Sequence, residues 1–110
     1  MNLGLEGKVA VITGGSDGIG KAAALSMSRE GARVAIAARD QSRLDAAVAD
    51  ISDQTQNPVL GISTDVRDED SVRSLISQVV DQWGGIDILV NNAGTSSTSR
   101  FEDMSNEQMT

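Results

Sequence analysis

The 110-residue chain contains no cysteine and no histidine, and the two absences remove several chemistries at once. Without cysteine there is no disulfide framework, no thiolate metal ligand and no thiol nucleophile. Without histidine as well, the usual zinc sites, Ser-His-Asp triads and Cys-His dyads cannot be built from this chain acting alone. Positive charge is also scarce: nine Lys and Arg stand against sixteen Asp and Glu, a formal charge of −7. A nucleic-acid surface or an anionic membrane would need clustered basic residues, and these are scattered. No apolar run approaches the ~18 residues of a membrane span, and Met1 to Lys8 lack the basic start and apolar core of a secretory signal. The expected compartment is the cytoplasm. Proline occurs once, at Pro58, at the start of a candidate strand where its missing N–H is tolerable.

What is present is the composition of a soluble globular domain, 39% hydrophobic and 23% charged. Strand and helix signals alternate with no low-complexity break. Val9 to Ile12 is a short β-branched run, and Ile19 to Glu30 reads as a helix that Gly31 ends. Ala32 to Ala37 is the next strand. Leu44, Ala47, Val48 and Ile51 recur at helical spacing, with Asp40 or Ser42 as N-cap. Val59 to Ile62 returns to strand. Val72, Leu75, Ile76, Val79, Val80 and Trp83 then form an unbroken helical stripe behind Asp68 as cap, ended by Gly84-Gly85. Ile86 to Val90 is the fourth strand.

Strands separated by helices imply right-handed crossovers and an α/β fold. The expectation is a Rossmann-like, doubly wound parallel sheet of strand order 3-2-1-4 in a three-layer αβα arrangement. Thr95 to Ser99 read as a loop at the carboxyl end of the strands, and Ser105 as the cap of a further helix. Asn106 to Thr110 are too few for a stable helix, since isolated helices under about 12 residues are marginal. Residues 1–110 therefore read as the N-terminal part of a single domain, incomplete at its C-terminal end, with an apolar edge strand that leaves it prone to aggregate.

Thr13-Gly14-Gly15-Ser16-Asp17-Gly18-Ile19-Gly20 joins the first strand to the first helix. Glycines at 14, 18 and 20 let the backbone turn tightly and approach a pyrophosphate, and the helix they open directs N–H groups at the anion. A P-loop would need Gly-Lys-Ser/Thr, which does not follow. Directly after the fourth strand comes Asn91-Asn92-Ala93-Gly94. With these two motifs in these places, essentially the whole chain resembles the short-chain dehydrogenase/reductase family.

The resemblance implies a nicotinamide dinucleotide cofactor. Ser16, Asp17 and Ile19 would line the pyrophosphate and ribose through backbone groups, with Gly14, Gly18 and Gly20 shaping the turn. Thr13 would tie the turn to the fourth-strand loop, and one Asn would brace the sheet. Asn92, Ala93 and Gly94 would lie beside the riboses. Asp65 would accept from the adenine amino group, and the Val66 N–H would meet a ring nitrogen. Where NAD-specific relatives carry an acidic residue at the end of the second strand, this chain has Ala38 followed by Arg39. Ala38 does not repel a 2′-phosphate and Arg39 can fork onto one, with Arg43 in support, so NADP is expected over NAD. Asp17 departs from the NADP pattern, in which many relatives carry a base. Trp83, Phe101 and the methionines read as packing residues, and Asp68-Glu69-Asp70 as an acidic first turn rather than a metal site.

The family's acid/base chemistry uses a Tyr-x-x-x-Lys motif and a serine, and this chain has no tyrosine and lysine only at 8 and 21. No catalytic residue is therefore assigned within it. The parent protein is expected to be an NADP(H)-dependent oxidoreductase moving a hydride between cofactor and a carbonyl or alcohol, while the chain alone is expected to be inactive. Its general look is closest to 3-oxoacyl-[acyl-carrier-protein] reductases and to sugar or polyol dehydrogenases, and by analogy it is a homo-oligomer, a dimer or tetramer. The alternative is a non-catalytic dinucleotide-binding or interaction module.

Overall fold

Strand β1 (Val9–Thr13) leads into helix α1 (Gly18–Arg29), and the same alternation continues through β2 (Arg33–Ala38), α2 (Gln41–Thr55), β3 (Val59–Ser63), α3 (Glu69–Trp83) and β4 (Ile88–Asn91). These come from a computed structural model that describes residues 4–16 and 18–92. All strand pairs are parallel and the order is β3-β2-β1-β4, the doubly wound arrangement expected from the sequence.

The strands sort their side chains by parity, as a pleated sheet requires. Val9 and Val11 of β1, with Ala35 and Ala37 of β2, face Val72, Leu75, Ile76 and Val79 of α3. Ile12, Val34 and Ile36 face the opposite way, against Ala24 of α1 and Leu44, Ala47 and Ile51 of α2. Among the described residues one helix thus covers one face and two helices the other, and β1 is buried along its whole length. Trp83 packs at the rim of the α3 cluster, a core role as its spacing suggested.

The helix ends follow local chemistry. Asp68 adopts an extended backbone and its carboxylate accepts the Asp70 N–H at 3.0 Å, with Glu69 and Asp70 complementing the positive end of α3. At the far end Gly84 takes φ 86°, a left-handed conformation that glycine accepts without strain. Helix α1 closes with paired bonds from Gly31 N–H to Ser28 O and from Ala32 N–H to Met27 O. Because that closure occupies Ala32, β2 starts one residue later than its apolar run. Replacing Asp68 by Ala is expected to lower stability by about 1 kcal/mol, read as a shift in urea midpoint at unchanged slope.

Strand β4 likewise begins at Ile88 rather than Ile86. Asp87 closes the preceding turn instead: its carboxylate accepts the Val9 N–H at 2.8 Å while its own N–H donates to Val9 O at 2.9 Å. Lys21 of α1 and Asp50 of α2 form an ion pair at 2.5 Å. Hydrogen bonding from Lys21, then from Gln54, holds the Asp50 carboxyl below its ordinary value of 3.8. Its stabilisation is therefore present above that value and is lost as pH falls through the lower folded one.

Candidate cofactor site

The parallel sheet brings Thr13, Ala38, Ser63 and Asn91 to one end, and the winding reverses between β1 and β4. Crevices at such switch points are where doubly wound sheets hold ligands. The turn after β1 lies here. Gly14 takes φ 68° and donates its N–H to Ala37 O at 2.7 Å, and Gly18 takes φ 59° with no described residue beyond its chain neighbours within 4 Å of where a Cβ would stand.

Two glycines are dictated by packing rather than by dihedral angle. A Cβ on Gly20 would collide with the Gly14 carbonyl oxygen and come within 2.7 Å of its carbon, so α1 starts hard against the turn. A Cβ on Gly15 would stand 2.7 Å from Ile36 Cγ2. The sequence reading did not single out Gly15, whose constraint arises from a residue on another strand.

Thr13 is fully buried, and its hydroxyl joins the two motifs. It donates to Asn91 Oδ1 at 2.9 Å and accepts the Asn92 N–H at 3.0 Å. The expected tie between the turn and the fourth-strand loop is therefore present, and Asn91 is the asparagine that braces the sheet. The Asn92 side chain lies over the turn, its Nδ2 3.4 Å from a Cβ placed on Gly14 and 3.1 Å from one on Gly20. Ser16 is half-buried beside the turn, whereas Ile19, in the first turn of α1, is 79% exposed. Asp17, Ala93 and Gly94 lie outside the described residues, as do Phe101, the loop expected from Thr95 and the helix expected behind Ser105.

Arg39 follows β2 and is exposed at the same end of the sheet. Its carbonyl oxygen accepts the Ser63 hydroxyl at 3.2 Å, and Thr64 N–H reaches Ala38 O at 2.8 Å, so the loops after β2 and β3 are knit together. Arg43 is drawn toward Asp40, the N-cap of α2, at 3.9 Å. Val66 packs its side chain against the α3 cluster. Asp65 accepts the Arg67 N–H at 3.0 Å and the Arg67 Nε–H at 3.2 Å on one carboxylate oxygen. These bonds, the backbone one foremost, hold its carboxyl below the usual carboxylate value, so it is charged at neutral pH. Arg67 was not among the sequence candidates, although an Asp-x-Arg spacing ahead of a helix is compatible with such an Asx turn. Among the described residues no His, Cys, Asp and Glu cluster could hold a metal ion, and no helix is long and apolar enough to cross a membrane.

A glycine turn opening a helix at the switch point of a parallel sheet defines the class as dinucleotide-binding α/β proteins. The short chain dehydrogenase family model matches residues 8–110, and the chain belongs to that family, whose members are oxidoreductases using a nicotinamide dinucleotide. An uncharacterized oxidoreductase of Staphylococcus epidermidis is 39% identical over 101 residues, covering 92% of this chain and 42% of its own length. The 3-ketodihydrosphingosine reductase of Mus musculus is 41% identical over 106 residues, covering 93% of this chain and 32% of that protein. Among solved structures, L-sorbose reductase from Gluconobacter frateurii, complexed with NADPH and L-sorbose, superposes with a TM-score of 0.92 at 33% identity, covering 99% of this chain and 50% of that one. The chain thus spans half or less of the length of these relatives.

Proposed function

We propose that this chain is the cofactor-holding part of an NADP(H)-dependent oxidoreductase that interconverts a carbonyl and an alcohol. The observation that carries the reading is the Thr13 hydroxyl clasp, which sets the glycine turn and the Asn91-Asn92 loop side by side at the switch point. The turn leaves room for a dinucleotide: among the described residues beyond its chain neighbours, nothing lies within 4 Å of where a Gly18 Cβ would be, and the α1 N-terminus opens beside it. When bound, the nicotinamide supplies or accepts the hydride.

In this reading the backbone of Ser16, Asp17 and Ile19 holds the pyrophosphate with the α1 dipole, while Gly14, whose N–H is taken by Ala37 O, shapes the turn with Gly18 and Gly20. Asp65 accepts from the adenine amino group and Val66 donates its N–H to the ring. Asn92, Ala93 and Gly94 line the riboses. Proton transfer to the substrate oxygen is assigned to residues outside 1–110, since these contain no tyrosine. A sugar reductase and a sphingoid-ketone reductase are both similar to this chain, which supports assigning substrate choice to residues outside it. Neither name points to a 3-oxoacyl thioester.

NADP is favoured over NAD by the uncharged Ala38 and the exposed Arg39 guanidinium, which suits a 2′-phosphate. Titration of the purified protein with NADPH and with NADH tests this. Arg39→Ala is expected to weaken NADPH by about tenfold or more, the size of a charge-assisted hydrogen bond, and to leave NADH nearly unchanged. Equal losses for both would defeat the assignment.

A further inference from the structure

Asp65 and Arg39 stand just beyond the carboxyl ends of neighbouring strands, in loops held together by the Thr64–Ala38 and Ser63–Arg39 hydrogen bonds. A carboxylate and a guanidinium at such positions are natural partners. Yet among the described residues the Arg39 side chain makes no ion pair and no hydrogen bond. Asp65 instead turns one oxygen to the backbone N–H and the Nε–H of Arg67, and anchors its own N–H on Ser71 Oγ at 2.9 Å. The Arg67 side chain is 69% exposed and so contributes little to the packed core.

We propose that Arg67 is a specificity-determining residue for the cofactor: by engaging the Asp65 carboxylate in the turn after β3, it keeps that carboxylate from capturing Arg39 and leaves Arg39 to a 2′-phosphate. This rests on the reading of Arg39 given above. Arg67 acts through Asp65 and does not itself touch the phosphate. The two strand-end loops carry Arg39 and Arg67 against Asp40, Asp65 and Asp68, so loss of Arg67 leaves Arg39 as their one cation. The field of Arg39 already reaches Asp65, where it adds to the larger effect of the Arg67 hydrogen bonds in lowering the carboxyl pKa. Freed of Arg67, the carboxylate would find its nearest cation in Arg39.

The test is the ratio of dissociation constants for NADH and NADPH, measured calorimetrically on the purified protein and on Arg39→Ala, Arg67→Met, Asp65→Asn and the Arg67→Met/Asp65→Asn pair. Arg67→Met is expected to lower the preference for NADPH about fivefold, the upper range for an exposed ion pair. Adding Asp65→Asn is expected to return the preference to that of Asp65→Asn alone, because no carboxylate then competes for Arg39. Binding of 2′,5′-ADP and 5′-AMP should follow the same pattern, which places the effect at the 2′-phosphate. Equal weakening of both dinucleotides in Arg67→Met, or a lost preference that Asp65→Asn does not restore, overturns the proposal. An unchanged preference in Arg39→Ala sinks the phosphate reading and the proposal with it, whereas a normal Arg39→Ala loss beside an unaffected Arg67→Met sinks the proposal alone.

Discussion

Gly20→Ala is expected to destabilise the protein by about 3 kcal/mol or more, at or beyond the upper end of ordinary overpacking, and to abolish measurable NADPH binding. The added methyl would meet the Gly14 carbonyl group, with the Asn92 amide a further 3.1 Å contact on the other side. The Asn92 amide ends a side chain and can give way, but the Gly14 carbonyl is backbone, so no rotamer change relieves that clash. Helix α1 would have to move away from the turn, carrying with it the N–H groups proposed to face the pyrophosphate. Gly18→Ala is the matched control. Among the described residues nothing beyond its chain neighbours crowds its Cβ, and only a φ of 59° has to be tolerated, a left-handed strain of about 1–2 kcal/mol. Urea denaturation and cofactor titration of both variants check the contrast, and a Gly20→Ala protein as stable as Gly18→Ala would show that α1 is not wedged against the turn.

Thr13→Val is expected to cost about 2–4 kcal/mol although it preserves shape and adds no volume worth noting. The hydroxyl is buried and serves two partners on β4 and its following loop. Valine leaves the Asn92 N–H without its acceptor and removes the donor from Asn91 Oδ1, each loss costing about 1–3 kcal/mol where the group stays shielded from water. Thr13→Ser keeps the hydroxyl and is expected to recover most of the loss. Amide hydrogen exchange at Asn92 separates this clasp from general loosening: protection there should fall in Thr13→Val and persist in Thr13→Ser. Undiminished protection in Thr13→Val would mean that the hydroxyl is not what holds the two loops together.

The sheet order was legible because each strand is a short apolar run closed by a helix whose caps are local. Asp68, Gly31 and Gly84 declare those ends through one side chain or one dihedral preference. The end of α2 carried no such signal. Gln56 adopts φ 59° there, a left-handed position usually given to glycine, and its side chain steadies it by donating to Asp53 O at 2.8 Å. The glycine turn and the asparagine pair were legible as motifs, and the Thr13 tie between them followed from the family pattern. Gly15 and Arg67 were not legible. The first is fixed by Ile36 across the sheet, and the second acts by folding back on Asp65, so neither has a periodicity or a cap to reveal it.

The paired bonds between Asp87 and Val9 and the hydroxyl of Thr13 hold β1 and β4 together at opposite ends of a short parallel ladder. Leu89 and Val90 pack against different helix layers, so sliding β4 by one residue would exchange their faces. With both ends fastened, such a slide breaks at least one fastening. The segment from Asp87 to Asn91 therefore works as a ruler. A residue inserted within it could satisfy the acid at one end or the threonine at the other, but not both, and length rather than composition is the property that this stretch has least freedom to change.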